Sequence, residues 1–287
     1  MNFRLDRLVT LYLVSPILGL ASEDRHSIPI LMYHSISDDD ESRSHPYYRT
    51  GTSPRTFALQ MEQLHLAGYQ TCSPAQAVAQ LRAKTAKASK QVVITFDDGY
   101  SDFYKKAFPS LNQFSFSATV YLPTAYIGES PLQFKGRDCL TWSEVRELEN
   151  EGILFGSHTV THPQLSGLSK DAVKMEITDS RKSIEDKTGH AVDSFAYPYA
   201  FPQADSDFRK MLRDTLVTAG YSNGVCTMVG KARYGSDPLF MERLPINNLD
   251  DKALLKAKLA GAYDWIAKPQ SIRKAAKIRA ARIFGES

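Results

Sequence analysis

In the stretch VVITFDDGYSD, residues 92 to 102, two carboxylates, Asp97 and Asp98, stand side by side at the end of an apolar, β-branched run. Each raises the cost of ionising the other unless something positive sits with them. A solvated strand end with an Asp-Gly turn is one account, since Asp and Gly dominate turns for conformational reasons. The other is a site where a cation and a proton-accepting base lie together. Further along, SHTVTHPQL places His158 and His162 four residues apart behind the apolar run ILFG. Two neutral imidazoles and one carboxylate are a common ligand set for catalytic Zn²⁺, with one position left open for water. The ion lowers the pKa of that water to about 7, and a second carboxylate beside the ligand can take the proton. On this reading the cation offsets the repulsion within the Asp pair. Sites of this donor type also accept other first-row divalent ions.

Elements must bring these residues together. After the first 27 residues the chain alternates short apolar strands with amphipathic helices, which predicts an α/β architecture with a largely parallel sheet. Strands are expected at 28–34, 92–96, 117–123, 153–158, 193–199, 221–227 and 240–246. Helices are expected between them. Ser53 followed by Pro54 starts one, the Ser73 to Gln76 capping box starts another, and Lys170 to Thr188 is the longest. In parallel α/β folds, ligands bind at the C-terminal ends of the strands. Asp97, Asp98, His158, Tyr199 and His34 all fall at such ends, with His162 just beyond. Period-two alternation puts Ile28, Ile30, Met32 and His34 on one strand face, so the imidazole emerges at the rim of an apolar row.

TFDDG followed by SHTVTHPQL resembles the polysaccharide deacetylases, and the likeness runs from about Ile28 to Pro245. Either motif alone arises by chance; both in order seldom do. The resemblance implies a distorted (β/α) barrel with fewer than eight regular units and metal-dependent removal of acetyl groups from N-acetylated sugars. It implies Asp98, His158 and His162 as metal ligands, Asp97 as catalytic base, and the backbone N–H of Tyr199, in YPY, as an oxyanion donor. The chain also departs from the family pattern. The third motif has Ala196 where Arg is usual, and ERLPINN (242–248) lacks the usual histidine. Deacetylases of the poly-N-acetylglucosamine type carry that histidine on an N-terminal YH strand, as PILMYHSI does here, which implies His34 as the general acid. Arg243 is the candidate to replace the missing arginine, with an ordinary salt bridge as its alternative role. Arg243 and Trp142 are also the candidates for contact with the saccharide, although aromatic residues at such places are more often packing.

Length, 287 residues, and 43% hydrophobic content allow one large domain or two small ones. The net charge of +3 is concentrated: 268–284 holds six Lys and Arg and no acid, and without them the remainder is slightly acidic, unlike a nucleic-acid binder. We expect a catalytic domain over 28–262 and a basic helical tail over 263–287, either solvated or in peripheral contact with an anionic membrane. Arg4 and Arg7 precede an apolar run over 8–21 that ends Gly19-Leu20-Ala21, so residues 1–21 read as an export signal, with an N-terminal helix packed on the domain or the membrane as the alternative. The first predicts a periplasmic or extracellular protein, the second a cytoplasmic or membrane-associated one. Cys72, Cys139 and Cys226 suggest neither a disulfide framework nor a cysteine zinc site. Three functions remain open: an N-deacetylase on an acetylated saccharide, an O-acetyl esterase, and a non-catalytic glycan-binding relative.

Overall fold

A computed structural model describes residues 4–20, 26–39, 41, 49–84 and 90–267, with the side chains of 18–20 outside the description. The basic segment 268–284 lies outside the described residues.

Seven parallel strands among the described residues close into a barrel: β1 (Ile30–Tyr33), β2 (Gln91–Phe96), β3 (Thr119–Leu122), β4 (Leu154–Ser157), β5 (Ser194–Ala196), β6 (Asn223–Val229) and β7 (Met241–Pro245). Each pairs with the next from β2 to β6. Then β6 pairs with β7, β7 with β1, and β1 with β2, which closes the ring. The register sets Tyr33 opposite Phe96 and Ser157 opposite Leu122, so the strands finish at a common level. The expected distorted barrel with fewer than eight units is what forms.

Alternation sorts the strand residues into two cores. Ile30, Val93, Tyr121, Ala196, Val225 and Met241 pack together inside the barrel, while Leu31, Ile94, Val120, Phe155, Phe195 and Leu244 pack outward in the layer that includes the helices. Inside, Gly156 gives room to the Tyr121 ring: a Cβ there would stand 2.5 Å from the ring. Tyr121 shares a 2.8 Å hydrogen bond with Ser194, so its hydroxyl is satisfied in the interior.

The surrounding helices, all but the one over Phe108–Gln113, begin where capping chemistry places them. They are α2 (Pro54–Leu66), α3 (Pro74–Arg82), α4 (Phe108–Gln113), α5 (Trp142–Asn150), α6 (Lys170–Thr188), α7 (Ser206–Thr218) and α8 (Lys252–Leu259), numbered after an N-terminal α1. Ser53, Ser169, Asp205 and Asp251 each accept from a first-turn N–H, and reciprocal capping boxes link Ser73 with Gln76 and Thr141 with Glu144. Gly189, in the left-handed region at φ 77°, stops α6.

The N-terminal segment is a helix, α1, made of Leu5–Leu8, a wider π-type stretch Val9–Val14, and Ser15–Leu20. It packs on the domain, where Tyr263 donates to Asp6 and Trp265 to Thr10. Tyr263 and Ile266 are buried in the main core. The expected boundary at 263 is therefore corrected: residues 263–267 belong to the domain, held by their apolar side chains and by α1.

Candidate active site

The polar residues converge at the C-terminal mouth of the barrel. β2 delivers Asp97 and Asp98, β4 delivers His158, the following loop delivers His162, β5 leads into Tyr199, and β1 ends at His34. The backbone is held in costly conformations there. Asp98, Thr159, His162 and Tyr199 have φ of 73°, 69°, 57° and 57°, and Lys135, beside them, has 50°. Non-glycine residues in the left-handed region each cost about 1–3 kcal/mol and cluster at functional sites.

Asp98, His158 and His162 present ligand atoms that all lie within 4.8 Å of one another, and all three side chains are buried. Asp98 Oδ1 lies 3.1 Å from His162 Nε2 and 3.7 Å from His158 Nε2. That oxygen is buried and has no hydrogen-bond partner among the described residues, which leaves it available to a cation. His158 Nδ1 donates to the carbonyl of Ala196 at 2.8 Å, leaving Nε2 as the free lone pair. Burial lowers the His158 imidazole to about 4 despite Asp97 and Asp98, so it is neutral, as a ligand must be. Burial pushes the Asp98 carboxyl up, but the His162 contact and the fields of His34, His158 and Lys135 hold it well below the usual carboxylate range. The donor set fits a first-row divalent ion. Asp98 Oδ2 is engaged separately by Tyr100 Oη at 3.0 Å and by Lys135 Nζ at 3.5 Å.

Asp97 has a different partner. Arg243, on β7 and facing the barrel interior, donates to Asp97 Oδ1 and Oδ2 at 2.7 Å each, in a fork-to-fork pair. Both side chains are almost fully buried. The guanidinium also donates from Nε to the Cys226 carbonyl at 3.1 Å and from Nη1 to Thr95 at 3.2 Å. Burial raises the Asp97 carboxyl, but Arg243, with His158 and His34, outweighs it and keeps the group ionised. His34 feels both Asp97 and Asp98; burial nevertheless lowers its pKa, with Arg243 and Lys135 acting in the same direction.

Tyr199 is 47% exposed, with its ring 4.6 Å from that of His162. Its carbonyl accepts from Thr227 Oγ1 at 2.7 Å. Two expected saccharide contacts are corrected. Arg243 is buried under the site and donates to Asp97, the Thr95 hydroxyl and the Cys226 carbonyl. Trp142, at the first turn of α5, is 3% exposed and belongs to the main core, so its ring offers no face to a sugar.

Two contributors escaped the sequence reading. A short hairpin, Gln133–Phe134 with Arg137–Asp138, holds Lys135 over the Tyr199 ring and packs Phe134 on His162. Glu176, on α6, grips the loop between the two histidines, accepting from Val160 N–H at 2.7 Å, Thr161 N–H at 2.9 Å and Thr161 Oγ1 at 2.6 Å. No motif marks it; only a carboxylate on the loop-facing side of a long helix hints at it. Glu176→Ala is expected to weaken metal binding by about tenfold or more, in the range for groups that orient ligands. Competition with a chromophoric chelator reads this directly.

A sequence profile of the polysaccharide deacetylase family matches residues 84–220. YxkH of Bacillus subtilis, a polysaccharide deacetylase homologue, is 32% identical over 213 residues, covering 74% of this chain and 69% of that one. The poly-β-1,6-N-acetyl-D-glucosamine N-deacetylase of Escherichia coli is 32% identical over 139 residues, covering 45% of this chain but 20% of its own longer one. Among solved structures, the Streptococcus pyogenes deacetylase PplD in complex with acetate superposes with a TM-score of 0.71 at 26% identity, covering 81% of this chain and 98% of that one. The match to YxkH along most of both chains, on the same barrel as PplD, makes this chain a member of the polysaccharide deacetylase family.

Proposed function

We propose that the protein is a metal-dependent N-deacetylase of GlcNAc-containing saccharides, such as an exopolysaccharide or cell-wall glycan. The observation that carries this reading is the pairing, at one barrel mouth, of a buried Asp98–His158–His162 cluster with an Asp97 carboxylate clamped by Arg243. Asp98, His158 and His162 would hold Zn²⁺ or another first-row divalent ion, which when bound supplies an acidified water and polarises the acetyl oxygen. Asp97 takes the proton of the attacking water. Arg243 keeps that carboxylate ionised and fixed in direction, so the base is ready at neutral pH. The Tyr199 N–H donates to the oxygen that gains charge as the carbonyl carbon becomes tetrahedral. His34 gives a proton to the departing nitrogen, since an amine leaves poorly as an anion.

N-deacetylation releases acetate and leaves a primary amine in equal amount. Acetate without amine, from O-acetylated glycan, would instead establish an ester hydrolase. Metal uptake without turnover on either substrate class would favour a glycan-binding protein.

His34 separates the two bonds further. An ester with a good leaving group needs little help from an acid, whereas an amide does. His34→Ala is expected to lower kcat on N-acetylglucosamine oligomers by about 10²-fold or more and kcat on an aryl acetate far less. Equal losses on both substrates would remove His34 from the acid role.

A further inference from the structure

The hairpin beside the metal-binding cluster carries a cation that the hydrolytic chemistry does not require. Gln133–Phe134 pairs antiparallel with Arg137–Asp138, and the two residues that join them, Lys135 and Gly136, have φ of 50° and 76°. Two-residue turns of this kind favour Asn or Asp before Gly, because short polar side chains tolerate the left-handed region. A lysine there costs conformational energy. The turn is braced from both sides. Phe134 is buried, with its ring 5.1 Å from that of His162 and 4.4 Å from that of Tyr126. Gln133 Nε2 donates to Asp138 at 3.1 Å, and Arg137 pairs with Asp39 at 2.6 Å. Lys135 is therefore held at the barrel mouth by its surroundings.

Its ammonium lies between the cluster and solvent. Lys135 Nζ stands 3.5 Å from Asp98 Oδ2 and 5.3 Å from the centre of the Tyr199 ring, and the side chain is 42% exposed. Tyr100 already donates to the same Asp98 oxygen at 3.0 Å, so that carboxylate has a second group to orient it. A cation held at Asp98 Oδ1 draws on the same carboxylate charge, which leaves the ammonium for a second anion. Beside it, the half-exposed Tyr199 ring offers an apolar face. An aromatic face with one placed charge is the composition of a site that reads a ring bearing an anionic substituent. One ammonium matches a singly charged group, and Arg137, the next cation along the hairpin, is spent on Asp39 and Ser37.

We propose that Lys135 selects acetylated saccharides that carry a carboxylate on the reacting sugar or on the sugar next to it. The proximity of Nζ to Asp98 sets that reach. This inference rests on the deacetylase reading of the site and adds a charge preference to it.

The test compares N-acetylglucosamine oligomers with the same oligomers oxidised in part at C6 to carboxylates, with amine formation normalised to bound metal. The wild type is expected to show kcat/KM about tenfold higher on the oxidised oligomers, mainly through KM, with the ratio shrinking as salt rises. Lys135→Asn, which places a residue suited to the turn, is expected to bring the ratio close to one, and Lys135→Glu to reverse it. Equal losses on both oligomers in Lys135→Asn would confine Lys135 to supporting Asp98 and overturn the proposal. Wild-type turnover without a charge preference overturns it too, while leaving the deacetylase reading intact. No amine from either oligomer by the zinc-loaded wild type removes both.

Discussion

Asp97→Asn is expected to lower kcat/KM for acetate release by about 10²- to 10⁴-fold, the range for loss of a positioned general base. Metal uptake should be unchanged, because the proposed ligands are Asp98, His158 and His162. The fold should survive as well. Asparagine retains an oxygen for one guanidinium N–H, and Arg243 keeps its contacts with Cys226 and Thr95. The comparison with Asp98→Asn divides the adjacent carboxylates by role: the first variant keeps metal and loses turnover, the second loses both. Metal analysis beside steady-state kinetics distinguishes them, and an Asp97→Asn protein with wild-type kcat/KM would exclude Asp97 as the base.

Arg243→Met is expected to be the most destabilising single change at the site, by about 3–5 kcal/mol, because it leaves the Asp97 carboxylate buried without its cation. The double variant with Asp97→Asn should recover much of that loss, since no charge is then left unpaired. The effect should depend on pH in metal-free protein. In the wild type, Asp97 has a folded pKa below its ordinary 3.8, so the pair's contribution is present above that value and is lost as pH falls below it. Without Arg243, burial dominates and raises the folded pKa, so the variant loses stability as pH rises through the ordinary range. The gap between wild type and variant should therefore widen from pH 3 toward neutrality. Urea unfolding of chelated protein across that range measures it; a gap that stays constant would mean Asp97 is not the group left unpaired.

The parts legible in the sequence share a local cause. Ser53 and the Ser73–Gln76 box lie within a few residues of the N–H groups they cap, and α6 forms over the expected Lys170–Thr188. Barrel strands were visible because continuous apolar runs suit strands buried on both faces. Asp97, Asp98, His158 and His162 could be linked because parallel strands end at one level. What escaped depends on contacts between residues distant in sequence. Arg243 lies 146 positions from Asp97, and nothing around ERLPINN states whether its arginine turns inward to a carboxylate or outward to a sugar. Trp142 reads as an available aromatic until the packing of α5 buries it. Glu176 is one of several acids on α6, and only the fold places it against the loop carrying His162. The outer face of α1 and the cluster at Tyr263 and Trp265 likewise exist only once the two ends of the domain meet.

The central claim is that the buried Asp98–His158–His162 cluster holds a metal with which Asp97 removes acetyl groups from amide nitrogen. The most direct measurement is acetate and amine formation from N-acetylglucosamine oligomers by chelated wild type, by the same protein after zinc is restored, and by Asp98→Asn treated alike. The account predicts negligible turnover after chelation, recovery with equal acetate and amine when zinc returns, and no recovery in the variant. Full turnover by the chelated wild type, or recovery of Asp98→Asn by zinc to the wild-type rate, would contradict it.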